Sequence, residues 1–189
     1  MQSIGSVPSS IFLLPPLTLV VGGARSGKSR LAETLVTSSG LPRVYIATAQ
    51  AFDEEMQARI DQHIRDRGPD WTTVEQPLTL AKALAACQPK QAILVDCATL
   101  WLSNQLLDGA DLPKKCAGLL AALAICPAPV VIVSNEVGWG IVPENALART
   151  FRDAQGRLNQ QLAAQAGLVI GVMAGLPMVL KGEMPQGTP

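Results

Sequence analysis

Leu17-Thr18-Leu19-Val20-Val21-Gly22-Gly23-Ala24-Arg25-Ser26-Gly27-Lys28-Ser29 is the stretch on which the reading of this chain turns. Residues 17–21 form a short apolar run, as expected of a strand buried on both faces, and the run ends in two glycines. From Gly22 to Ser29 the chain satisfies G-x-x-x-x-G-K-[ST]. Glycines let the backbone wrap a phosphate with its amides turned inward. Lys28 can neutralise β- and γ-phosphate oxygens, and the Ser29 hydroxyl suits Mg²⁺. Ser26 to about Ser39 carries Leu31, Leu35 and Val36 and closes at Gly40, which predicts a helix. Its positive N-terminus would face the same phosphates. The octet Gly22, Gly23, Ala24, Arg25, Ser26, Gly27, Lys28 and Ser29 is therefore expected to bind a nucleoside triphosphate.

Outward from this motif, apolar runs alternate with helical patterns. Arg43–Thr48 and Ala92–Asp96 read as strands, as do Val130–Ser134 and Leu168–Met173, with a shorter one at Met178–Leu180. Helices are expected from Asp53 to about Arg67, near Thr79–Cys87, near Lys114–Ile125 and from about Glu144 to Gln165. The last would align Leu147, Phe151, Ala154, Leu158 and Leu162 on one face. Alternation of this kind indicates a mostly parallel sheet with helices on both faces. Residues 1–16 read as an irregular leader, 17–182 as one P-loop α/β domain and 183–189 as a loose tail.

The composition narrows the function. Fifteen Lys+Arg against 15 Asp+Glu leave zero formal net charge. That balance argues against a general nucleic-acid binder, which normally carries a basic surplus. A single histidine excludes a His-rich metal site. The four cysteines, Cys87, Cys97, Cys116 and Cys126, form no C-x-x-C pair and read as reduced, mostly buried thiols of a cytoplasmic protein. No apolar stretch reaches the roughly 18–20 residues of a membrane span.

A P-loop enzyme usually places a second acid at the end of another strand to hold Mg²⁺. Asp96, which directly terminates AILVD, is preferred. Glu136, after VVIVSN, is the alternative. His63 falls four residues from both Arg59 and Arg67, so the three share one face of the expected helix. Such a histidine is badly placed for a metal and well placed beside phosphates. A solvated boundary residue, a phosphate donor and a covalent nucleophile all fit that spacing.

Five segments, in order, resemble the bifunctional adenosylcobinamide kinase / adenosylcobinamide-phosphate guanylyltransferase family of cobalamin biosynthesis. They are GGARSGKS, YIATAQ, DEEMQARIDQH leading to WTTVE, SNEVGWGIVPEN and RTFRDAQGRLNQQLA, spread over about Leu17 to Gly182. The resemblance implies a RecA-like P-loop fold and two reactions. One phosphorylates adenosylcobinamide from a nucleoside triphosphate, ATP or GTP. The other transfers GMP from GTP to adenosylcobinamide phosphate and releases pyrophosphate. It makes His63 the guanylyl-carrying nucleophile, and Lys28 of the phosphate motif is the other expected catalytic residue. It adds Thr48, Ala49 and Gln50 as a nucleotide-contacting turn, and Ile64, Arg65, Asp66 and Arg67 as a guanine-nucleotide loop. Glu75 and Asp96 become acids associated with bound GTP, while the phosphate motif and its strand-end acid make Ser29 with Asp96 the expected Mg²⁺ ligands. A homotrimer is expected, and Trp101 and Trp139 are candidate corrinoid contacts unless core or interface buries them. The rival readings are a single-activity P-loop kinase and a RecA-like ATPase module.

Overall fold

The structure, a computed structural model, describes residues 12–50, 54, 58, 62, 65 and 67–186. Its frame is a seven-stranded sheet in the order β3-β2-β4-β5-β1-β6-β7. The strands are β1 Leu17–Gly22, β2 Arg43–Ala47, β3 Trp71–Glu75, β4 Ala92–Asp96, β5 Val130–Asn135, β6 Leu168–Met173 and β7 Leu176–Lys181. All pair in parallel except β7, which returns antiparallel along β6. The helices with full bounds are α1 Lys28–Ser38, α2 Leu80–Ala85, α3 Ala98–Leu107, α4 Leu112–Ile125 and α5 Ala146–Gln165.

The strands alternate their side chains between two apolar layers, as the pleat requires. Leu19, Ile93, Val95, Val130 and Ile132 face α2, α3, α4 and α5. Val20, Leu94, Val131, Val133 and Ile170 face α1, which contributes Ala32, Leu35 and Val36. Because both faces are covered, the inner strands read as continuous apolar runs rather than as alternating ones. The carboxyl ends of the six parallel strands therefore share one edge, where open α/β sheets bind ligands.

Among the described residues the expected strands and helices are present, with differences that have local causes. Strand β3 has no fully buried residue, so its sequence carries no apolar run. Helix α3 is apolar on most sides and shows no amphipathic stripe. Its Asn104 and Gln105 are buried where a polar face would be looked for. Helix α4 starts at Leu112, capped by Asp111, whose carboxylate accepts from the Lys114 N–H at 3.0 Å. On α5, Leu158 and Leu162 are buried as expected, whereas Leu147 is 51% exposed. Of the expected 53–67 helix, Glu54, Ala58, Gln62, Arg65 and Arg67 are described, and each is helical. Residues 12–16 have no regular structure, yet Leu14 is buried in the α1-side core. All four cysteines are free, and Cys87, Cys97 and Cys116 are buried.

Candidate active site

The phosphate loop is held by β1, an inner strand with parallel partners on both sides: β5 pairs along its whole length and β6 from Thr18 to Gly22. Gly22 closes the strand where space is smallest. A Cβ there would lie 2.5 Å from the Val172 carbonyl oxygen and 2.6 Å from Ser26 Oγ. Beyond it the backbone takes the left-handed region at Arg25 (φ 55°) and Gly27 (φ 94°). Gly27 is the N-cap of α1 and brings no side-chain hydrogen bond. The first amides of α1 are thus left without a capping side chain, as an anion-binding helix terminus requires.

Two further contacts brace the loop. The Gly175 N–H, at the tip of the β6–β7 hairpin, donates to the Ser26 carbonyl at 2.9 Å. The Lys28 ammonium folds back to donate to the Gly23 carbonyl at 3.2 Å. Lys28 and Ser26 are both buried, and Ser26 Oγ has no hydrogen-bond partner. A buried hydroxyl without a partner costs about 1–3 kcal/mol, and a phosphate oxygen would remove that cost. Gly23, Ala24 and Arg25 are exposed, while Gly27 and Ser29 are half-buried.

A second group of residues lies at the ends of β2 and β4. Register places Glu75, Ala47 and Asp96 side by side on three neighbouring strands. Glu75 is exposed and Asp96 half-buried. The Tyr45 hydroxyl donates to Asp96 Oδ2 at 2.7 Å, and the Arg67 guanidinium lies 3.2 Å from the Tyr45 ring centroid. Burial, reinforced by the Asp96 charge, pushes the Tyr45 hydroxyl well above the ordinary phenol range. Burial likewise pushes the neighbouring Cys97 thiol up to about 12, with Asp96 adding to the shift.

Thr48 ties the two strand ends together. Its hydroxyl donates to the Cys97 carbonyl and accepts from the Cys97 N–H, each at 2.8 Å. Its own N–H donates to the Asp96 carbonyl, and its carbonyl accepts from Asn104 Nδ2 at 2.8 Å. Thr48 is fully buried, so it acts here as a strut, while Ala49 and Gln50 beyond it are half-buried. Arg65 is exposed and donates to Gln62 Oε1 at 2.9 Å. His63, Ile64, Asp66 and Arg59 lie outside the described residues.

Glu136, the alternative acid, sits directly beside the loop. Its N–H donates to the Gly22 carbonyl at 3.1 Å, and its carboxylate accepts from the Gly138 N–H at 2.6 Å. Beneath it runs a polar network that the sequence reading does not contain. Ser134 Oγ donates to Asn159 Oδ1 at 2.6 Å, Asn159 Nδ2 to the Asn135 carbonyl at 3.0 Å, and the Asn135 N–H to Thr99 Oγ1 at 2.7 Å. Asn159 belongs to the G-R-x-N-Q run of α5, the one signal in the sequence that pointed there.

A groove of about 700 Å³ opens alongside the loop, lined by Gly22, Ser26, Glu136, Trp139, Val172, Met178 and Leu180 among others. Trp139 is 80% exposed on its rim, whereas Trp101 is buried in the core and donates to the Leu78 carbonyl. Among the described residues no helix is long and apolar enough to cross a membrane.

Comparison with known proteins agrees with this geometry. A family model described as cobinamide kinase / cobinamide phosphate guanyltransferase matches residues 18–180. The bifunctional adenosylcobalamin biosynthesis protein CobP of Pseudomonas aeruginosa is 48% identical over 170 residues, covering 87% of this chain and 97% of that protein. CobU of Escherichia coli, with the same bifunctional description, is 44% identical over 181 residues, covering 87% and 99%. Among solved structures, a type III secretion ATPase superposes with a TM-score of 0.56 at 13% identity, covering 89% of this chain and 59% of that one. The flagellar accessory protein FlaH of Methanocaldococcus jannaschii gives 0.51 at 14% identity, covering 91% and 81%. At these identities the structural likeness establishes the fold alone, a P-loop α/β fold.

Proposed function

The chain belongs to the cobinamide kinase / cobinamide phosphate guanyltransferase family, and from that premise we propose that His63 carries the guanylyl group between its two substrates. It is an adenosylcobinamide kinase and adenosylcobinamide-phosphate guanylyltransferase of cobalamin biosynthesis. The observation that carries this conclusion is the family match across residues 18–180, which takes in the phosphate loop, Asp96 and the α5 helix.

In the kinase step the hydroxyl oxygen of adenosylcobinamide attacks the γ-phosphorus of a nucleoside triphosphate; the new O–P bond forms as the β–γ bridge breaks, the diphosphate leaves and the hydroxyl proton is released to solvent. Lys28 and the uncapped α1 amides hold the charge that shifts onto the β–γ bridge. In the transfer step a His63 ring nitrogen attacks the α-phosphorus of GTP. An N–P bond forms, the α–β bridge breaks and pyrophosphate departs. An oxygen of adenosylcobinamide phosphate then attacks the same phosphorus, releasing the imidazole and giving adenosylcobinamide-GDP. A neutral imidazole is required, and an unperturbed His is mostly neutral at pH 7. Glu75, Ala49, Gln50 and residues 64–67 are assigned to the nucleotide around these phosphates, with Thr48 holding the turn in place.

Ser29, in the first turn of α1, and Asp96 offer only oxygen donors, the set that Mg²⁺ prefers. Tyr45 engages Asp96 through Oδ2, and no hydrogen bond to Oδ1 is seen among the described residues. These two residues would hold the ion, which when bound neutralises the phosphate oxygens. The groove beside the loop suits the bulky apolar face of the corrinoid, with Trp139 as its contact. A homotrimer is what the family resemblance implies, and the exposed apolar side chains of Leu176 and Ile141 leave surface that association between copies would cover. Free thiols and zero net charge accord with a cytoplasmic enzyme that takes no nucleic acid.

The test is incubation with GTP labelled at the α-phosphate, followed by denaturing electrophoresis. An acid-labile, alkali-stable label is expected on the wild type and absent from His63→Ala. Product formation by a wild type that never takes up label would replace the covalent route with direct transfer. Light scattering should give three times the 19.9 kDa chain mass.

A further inference from the structure

Tyr45 is absent from the phosphate machinery described above, yet it touches two members of it. It sits in the middle of β2, its ring buried in the α1-side core. One end of the side chain is hydrogen-bonded to Asp96 Oδ2 at 2.7 Å. One face of the ring carries the Arg67 guanidinium at 3.2 Å from the centroid, and Trp71 packs edge-on at 6.1 Å. Strand β2 is thus the platform on which an acid and a guanidinium from two other parts of the chain are fixed relative to each other.

The Arg67 Nη1 atom is the feature without an explanation inside the chain. It is buried and has no hydrogen-bond partner. A guanidinium offers five donors and has a planar fork suited to phosphate, and a buried unpaired donor is unfavourable unless a ligand meets it. Stacking on an aromatic face holds such a fork in one plane without using any of its donors. Register also places Asp96 beside Val133 of β5, which itself pairs with Val20 of β1, two residues before Gly22 opens the phosphate loop. The platform and the loop therefore address one region at the carboxyl edge of the sheet.

We propose that Tyr45 is a positioning residue for nucleotide phosphate, its ring orienting Arg67 Nη1 towards a phosphate oxygen and its hydroxyl fixing Asp96. This rests on the reading of the chain as a GTP-using transferase and adds a residue to it. The two ends of Tyr45 do separable work. The ring governs how tightly the triphosphate is held, and the hydroxyl governs how well Asp96 serves the reaction once the nucleotide is bound.

The experiment uses the full chain as wild type, Tyr45→Phe, Tyr45→Leu, Arg67→Met and the double variant Tyr45→Leu/Arg67→Met. GTP affinity is measured by calorimetry, turnover by formation of adenosylcobinamide-GDP, and folding by thermal melting. Arg67→Met is expected to raise the Kd for GTP about tenfold. Tyr45→Leu should do the same, and the double variant should be no weaker than either single one, because both changes remove one interaction. Tyr45→Phe keeps the ring, so its Kd should stay within about twofold while kcat falls, a split that a merely structural tyrosine would not produce. Additive effects in the double variant, an unchanged Kd in Arg67→Met, or an unchanged kcat in Tyr45→Phe would each overturn the proposal. If Tyr45→Leu does not fold, Tyr45→Phe and Arg67→Met still decide it. Failure of the His63 reading shows separately, as a wild type that takes up no α-phosphate label while its GTP affinity still responds to Arg67→Met.

Discussion

The phosphate loop and the Tyr45–Thr48–Asp96 platform stand at the same edge of one sheet, but they are built from different material. The loop is made of backbone: Gly22 under the Val172 carbonyl, Gly27 in the left-handed region, and a hairpin amide holding the Ser26 carbonyl. The platform is made of side chains, with Thr48, Tyr45 and Asn104 reaching across three chain segments to tie β2, β4 and α3 together. A site made of backbone should fail when atoms are added. A site made of side chains should fail when atoms are removed.

Lys28→Met is expected to have the largest effect on activity, because it removes the one buried cation that the loop holds beside Gly23. Loss of a single preorganised charge of this kind costs about 10²–10³-fold in rate. Both the kinase and the guanylyl-transfer assays should fall together if both reactions seat their triphosphate in this one loop. A fall in only one would separate the two reactions in space. Gly22→Ala comes next and tests the claim that the loop fails by addition. The new methyl group would meet the Val172 backbone oxygen as well as Ser26 Oγ; the hydroxyl can rotate away but the carbonyl cannot, so the strand end must move. Overpacking of this sort destabilises by about 3 kcal/mol, which thermal melting would read as a drop of several degrees, with weaker GTP binding. An unaltered melting curve would mean that the β1–β6 contact is looser than the geometry states.

The difference in material also explains what could be read from the chain beforehand. A backbone-made loop needs glycines at set spacings within eight consecutive residues, so Gly22 to Ser29 announce themselves. The platform joins residue 45 to 96, 48 to 97 and 48 to 104, and local spacing records none of those meetings. Thr48 is reached only through resemblance to a family, Asp96 already through its place at the end of an apolar strand, and Tyr45 not at all, because a tyrosine inside an apolar run reads as core. Helix α3 went unread for a related reason. Its Asn104 and Gln105 face inward to carbonyls at the β2–β4 end, so the polar face that would have marked a helix is inside the protein. On α5, Leu147 fits the apolar period but lies at the exposed start of the helix, beyond the reach of the sheet.

Asn104→Ala tests the platform by subtraction. Its Nδ2 donates to the Thr48 and Pro77 carbonyls at 2.8 and 3.1 Å, and Asn104 is buried. Removing the amide leaves two inward carbonyls without that donor, which costs about 2 kcal/mol. Urea unfolding should show a lower midpoint with an unchanged slope. If stability holds and GTP affinity alone falls, the amide serves the nucleotide, and the strut reading of Thr48 loses its anchor.

The smallest effect belongs to the hairpin that braces the loop. Ala174 and Gly175 both have positive φ, 52° and 81°, the conformation of a two-residue type I′ turn. Gly175 suits that turn, but Ala174 sits in the left-handed region with a Cβ that opposes it. Asparagine tolerates this conformation far better, and Asn-Gly is the sequence that type I′ turns favour. Ala174→Asn should therefore stabilise the fold by about 0.5–1 kcal/mol, a rise of about 2 °C in Tm for a chain of this size. The gain should appear only while the turn keeps its geometry, because the Gly175 N–H must still reach the Ser26 carbonyl. Amide exchange at Gly175 separates the two possible origins. Slower exchange with a higher Tm means that the hairpin tip is coupled to the loop it braces. A higher Tm with unchanged exchange at Gly175 means that the turn is merely relaxed, and that the loop is held by Gly22 and the sheet alone.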